Sequence, residues 1–143
     1  MNTQKPQTAP NQQNIVLDIY QSFRAMPIWV QIWVVGILVP VNMASLLFVF
    51  EPGGILIAFL ANIAMMMNLP VMIKDRGFSK MMALPHLIPW GILIAILVFA
   101  PLVAEGNYAI YLKVLLGVDL ISLAFDFPDA VKWKRGDRAA AGR

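Results

Sequence analysis

The chain has 143 residues, 59% of them hydrophobic and only 13% charged, with a formal net charge of +3, a mean hydropathy of +0.70 and no cysteine. A water-soluble domain of this length needs more polar surface than that, so a lone soluble enzyme, a nucleic-acid reader and a disulfide-stapled secreted module all fit poorly. Without cysteine, Cys-ligated zinc and iron–sulfur sites are excluded.

Residues 1–14, MNTQKPQTAPNQQN, are polar and lack apolar periodicity, which predicts a disordered tail and no cleaved leader. From residue 15 to 135 the pattern predicts a single transmembrane helical domain. It opens on a short interfacial helix over 15–26, where Ile15, Val16, Ile19, Tyr20, Phe23 and Met26 recur on one face and Asn14 caps the start. Four apolar runs follow, at about 28–50, 53–73, 85–103 and 108–127. Each approaches the ~20 residues needed to cross a hydrocarbon core of ~30 Å. The predicted fold is all-α: an integral membrane four-helix bundle, antiparallel and up-down because the first and third connectors are short. The middle connector is longer and predicts an interfacial turn after Gly77 with Ser79 as its N-cap. Residues 136–143 read as a basic flexible tail.

Charge placement predicts orientation. Lys74, Arg76 and Lys80 lie in the middle connector, and Lys132, Lys134, Arg135, Arg138 and Arg143 follow the last run. The other connectors hold Glu51 and Glu105 and no basic residue. The positive-inside rule then places both termini in the cytoplasm of a bacterial-type inner membrane. Trp29, Trp33, Trp90 and Trp133 are predicted as interfacial anchors on that side.

Polar residues inside the apolar block are the candidate functional residues. Asp119, Ser122 and Asp126 are spaced i, i+3, i+7 and share a helical face. Asp119 is the deep one, at a cost of ~2.5–3.5 kcal/mol on insertion scales; Lys113 reads as a snorkelling anchor. His86 and Asn68 reach a depth comparable with Asp126, so Asn68, His86, Asp126, Ser122 and Asp119 form a candidate polar or ion site. Asn42, Ser45 and Asn62 read as hydrogen-bonding groups between helices. Gly91 with Ala95, and Ala58, Ala61 and Ala64, predict close helix packing. Pro40 and Pro70 fall inside runs and free backbone carbonyls.

Met65, Met66, Met67, Met72, Met81 and Met82 gather toward one side, but consecutive methionines diverge around a helix and no cysteine or second histidine joins them. Packing is expected over copper binding. No catalytic serine set, phosphate loop or metal-binding histidine pair is present, so neither catalytic residues nor a metal site is predicted, and no cofactor is named. Two functions remain. The first is a non-enzymatic accessory or assembly subunit of a larger membrane complex. The second is a small oligomeric channel or transporter for a cation, proton or small solute along Asp119, Asp126 and His86. The expected partners are the lipid bilayer and another membrane protein or further copies of this chain, not nucleic acid.

Overall fold

The structure is a computed structural model, and it describes residues 14–100 and 102–142. The segment predicted as a disordered tail therefore lies, but for Asn14, outside the described residues. The protein is all-helical, with 80% helix and no strand among the described residues. Four helices are long and apolar enough to cross a membrane: Ile28–Phe48, Gly54–Asp75, Lys80–Phe99 and Gly106–Lys134. They are numbered here as spans one to four.

A short helix, Ile15–Ala25, precedes them, and Asn14 caps it by accepting from the Val16 amide at 3.0 Å. Its apolar residues Val16, Leu17 and Tyr20 are exposed, whereas Ser22 is buried and Phe23 packs on Phe78, so the docked face mixes polar and apolar side chains. Gln31 fixes the corner into span one. Its Nε2 donates to the carbonyls of Arg24 and Met26, and Arg24 Nη1 donates to its Oε1.

Span one is not a uniform α-helix. Pro40 has no amide hydrogen for the carbonyl one turn back, and the turns on either side depart from α geometry. Trp33–Leu38 forms a π-helix and Ala44–Phe48 a 3-10 helix, with a short α-helical stretch, Val39–Met43, between them. A tight turn follows, in which Gly53 takes a left-handed conformation (φ 70°) that only glycine adopts cheaply. Tyr108 Oη donates to the Pro52 carbonyl at 2.7 Å, tying this turn to the start of span four.

Span two places Ala58, Ala61 and Ala64 on its buried face, as their spacing predicts. The small side chains let Trp90 of span three approach closely enough for its Nε1 to donate to the Ala61 carbonyl at 3.2 Å. Around this contact Ile57, Leu60, Leu93, Leu112 and Leu115 form the apolar core. Trp90 was expected as an interfacial anchor, but it is completely enclosed and serves this core. Trp33 also turns inward against the core, whereas Trp29 is exposed and packs on Phe125. The Gly91 and Ala95 pair, expected to pack closely, does not do so within the chain. A side chain at Gly91 would meet nothing within 4 Å, and Ala95 is exposed. The outer faces are apolar, with Leu47, Phe50, Ile55, Ile88 and Phe99 exposed.

The expected turn after Gly77 is present as a 3-10 helix, Lys80–Ala83, which leads directly into the α-helix of span three, Leu84–Phe99. Ser79 stands at its N-cap position as expected and its carbonyl accepts from the Met82 amide, but its hydroxyl donates to Asp75 Oδ2 and caps no amide. Span four continues seven residues past the expected Phe127, through Pro128 to Lys134. Proline there removes one hydrogen bond without ending the helix.

The chain's last described residues are packed, where the sequence reading ends the domain at residue 135. The Ala141 amide donates to the Phe78 carbonyl, Ser22 Oγ donates to the Ala141 carbonyl, and the Phe78 amide donates to Ser22 Oγ. Lys80 pairs with Asp137 at 3.2 Å and Arg76 with Asp18 at 2.6 Å. Gly77 allows this three-way junction, since a Cβ there would stand 2.5 Å from Ser22 Oγ.

Candidate functional site

The predicted site residues all face inward, but they divide into two clusters. At the end of the bundle that holds the tail junction, His86 bridges two spans. Its Nδ1 lies 2.9 Å from Asp126 Oδ2 of span four, and its Nε2 lies 2.7 Å from Asn68 Nδ2 of span two. The amide donates to Nε2, so the imidazole hydrogen sits on Nδ1 and is donated to the carboxylate. Trp90 stacks on the ring at 4.1 Å and closes its other side. The sequence groups these three residues by depth, and they do meet.

Asp119 does not join them. It lies near the middle of span four with no exposed surface, and its Oδ1 accepts from Asn42 Nδ2 of span one at 2.8 Å. Asn42 Nδ2 spends its other hydrogen on the Leu38 carbonyl at 3.1 Å. Its nitrogen thus faces two acceptors, which sets the orientation of the amide. Ser45 Oγ donates to the Asn42 carbonyl, and Asn62 Nδ2 donates to both Ser45 Oγ and the Ala58 carbonyl. Tyr111 Oη donates to the Val41 carbonyl at 2.7 Å. These side chains satisfy backbone carbonyls along the irregular part of span one, as a broken helix in an apolar medium requires.

Ser122 lies on the same face as Asp119 and Asp126, between the two clusters, and accepts from Trp33 Nε1 at 3.3 Å. The three form an inward seam along span four. No cationic side chain pairs with Asp119 among the described residues; Lys113 is exposed. Three buried polar atoms have no hydrogen-bond partner among the described residues: Asp119 Oδ2, Asn42 Oδ1 and Asn68 Oδ1. Two of them belong to the central pair.

Nothing here resembles a metal centre: no three His, Asp, Glu or Cys side chains come together among the described residues. Met66 and Met67 are exposed while Met65 packs on the core, so the methionine run diverges as expected. The surface clefts are apolar and lie apart from the seam, one around Phe50 and Phe59 and another around Leu87 and Phe127. Of the predicted anchors outside the site, Trp133 carries the Arg138 guanidinium over its ring at 4.2 Å.

Asn42, Ser45 and Asn62 are legible in the sequence as polar residues but not as Asp119's surroundings. One signal was present, since an asparagine within an apolar run must find partners for its own amide. Tyr111 gave a weaker one: a phenol at that depth must find an acceptor. No family model, curated protein or solved structure matches this chain.

Proposed function

We propose that this chain is a small multi-pass membrane protein that carries a proton or small cation along the seam of Asp119, Ser122, Asp126 and His86. The observation behind this reading is Asp119 itself: fully buried near mid-helix, unpaired by any cation among the described residues and set against the break in span one. Ionisable residues at membrane depth mark ion and proton paths, and interrupted helices mark transporter sites. An accessory subunit is the competing reading, but it would turn its deep polar residues toward an outer groove, and these point inward.

The frame for this function is an antiparallel up-down bundle, a single transmembrane domain in an inner membrane with both termini cytoplasmic. Contact order supports the antiparallel part. Trp29, Trp33, Asn42 and Phe48 along span one meet Phe125, Ser122, Asp119 and Tyr108 along span four, in falling order. Orientation is supported by Lys80 and Arg76 meeting the tail and the N-terminal helix at one end, while Glu51 and Glu105 lie in connectors without basic residues. Four helices enclose little space, so passage of a hydrated cation calls for two or more copies; a proton moving between side chains does not.

The test is flux into liposomes, read with a pH-sensitive dye and with cation-sensitive dyes, for the wild type and Asp119→Asn. Wild-type flux that falls to the leak level in the variant is expected. Equal, leak-level flux in both overturns the reading. Co-purification of an unrelated membrane protein in mild detergent would then restore the accessory subunit.

A further inference from the structure

The central cluster carries an inference that rests on the transport reading and narrows it: which ion the site takes. Asn42 and Asp119 already share one hydrogen bond, from Nδ2 to Oδ1 at 2.8 Å. The remaining atom of each head group, Asn42 Oδ1 and Asp119 Oδ2, is buried and without a donor. Both are acceptors as they stand. An amide and a carboxylic acid are complementary head groups: the amide donates one hydrogen bond and the acid donates the other, so a single hydrogen supplies what both atoms lack.

Counting oxygens separates a proton from a metal cation. Hard cations gather about six oxygen ligands. Around Asp119 four other oxygens each already accept a hydrogen bond. The Leu38 carbonyl receives Asn42 Nδ2, the Val41 carbonyl receives Tyr111 Oη, the Asn42 carbonyl receives Ser45 Oγ, and Ser45 Oγ receives Asn62 Nδ2. Two oxygens without a donor suit a shared hydrogen, and among the described residues no group of three His, Asp, Glu or Cys side chains gathers to build a cation shell.

The neighbouring titratable groups do not substitute for that hydrogen. Span one has no charged residue, and span two's charged residues, Lys74 and Asp75, stand at its far end. In span three His86 is engaged by Asp126 and Asn68. On span four itself, Tyr111 and Tyr108 donate to the Val41 and Pro52 carbonyls, Asp126 holds His86, Asp129 lies beyond Pro128, and Lys113 is exposed.

We propose that Asp119 and Asn42 form a proton-binding site, an acid–amide pair in which a hydrogen on Asp119 Oδ2 is donated to Asn42 Oδ1. On loading, a hydronium ion gives up a proton to the seam and leaves as water, an O–H bond forms on Asp119 Oδ2, and the carboxylate charge is neutralised. On release that bond breaks and the proton leaves along the seam toward Ser122 and Asp126.

Infrared spectroscopy of the purified wild-type chain in lipid tests this directly. A carboxylic acid carbonyl band at neutral pH is expected, shifted by deuterium oxide, lost in Asp119→Asn and retained in Asp126→Asn. Asn42→Leu is expected to move the band, because the acid loses its acceptor. Absence of the band in a helical wild-type protein overturns the site, as does its persistence in Asp119→Asn. Its loss on adding sodium chloride at constant pH also overturns it, in favour of a cation. The two readings fail separately. An acid band without flux ends the transport reading and leaves the proton site, whereas Asp119-dependent flux without the band does the reverse.

Discussion

The two polar clusters are built from nearly the same parts, a carboxylate on span four and an asparagine on another span, yet they close differently. At the end of the bundle, His86 stands between Asp126 and Asn68, and both ring nitrogens are engaged. An imidazole serves as donor, as acceptor, or as donor on both sides, and an asparagine can turn to offer either its nitrogen or its oxygen. That cluster pairs its carboxylate with a ring nitrogen and leaves one acceptor, Asn68 Oδ1, without a partner among the described residues. The central cluster has no such adaptable member. Asn42 is held in one orientation by two acceptors, and Asp119 has no exposed surface through which water could serve its second oxygen. The end cluster therefore has its carboxylate closed by a histidine, and the central one depends on a hydrogen brought from outside.

The largest effects should follow from disturbing the centre. Beyond the loss of flux in Asp119→Asn, removing the amide with Asn42→Leu takes away the donor to Asp119 and to the Leu38 carbonyl together. Each buried group left unsatisfied costs about 1–3 kcal/mol, so a clear fall in the midpoint of unfolding in mixed detergent is expected. Asn68→Leu is expected to cost less, because His86 keeps its bond to Asp126. Equal losses in the two variants would break the contrast between the clusters. At the end, Asp126→Asn and His86→Gln should slow flux without abolishing it. Each should cost roughly 0.6 kcal/mol, the average for polar contacts between membrane helices. Flux at the leak level in His86→Gln would make the end cluster as indispensable as the centre.

The number of helices and their approximate limits were legible because apolar run length is a direct consequence of crossing hydrocarbon. Asn68, His86 and Asp126 were also legible together, since depth along three helices is nearly fixed once the spans are placed. Asp119's partner was not. Depth says nothing about rotation around a helix axis, and the π and 3-10 turns around Pro40 rotate Asn42 in a way no regular period foretells. Trp90 misled for a related reason. Tryptophan favours the interface, but the alanine face of span two offered both space and a carbonyl, and packing outweighed that preference. The C-terminal junction was unreadable because it depends on backbone groups of Phe78 and Ala141, which carry no side-chain signature.

That junction supplies the smallest effect and a separate check on the contrast. Ser22 Oγ both donates to the Ala141 carbonyl and accepts from the Phe78 amide, so Ser22→Ala removes two hydrogen bonds at once. At ~0.5–1.5 kcal/mol for a typical bond, the tail should open more often without the bundle unfolding, since the spans are held by their own core. Hydrogen exchange resolved along the chain is the measurement. Faster exchange at the Phe78 and Ala141 amides is expected, with the amides around Asn42 and Asp119 unchanged. If the central amides quicken as well, then the tail junction, the end cluster and the centre open as one unit, and the separation between a histidine-closed end and a dependent centre fails.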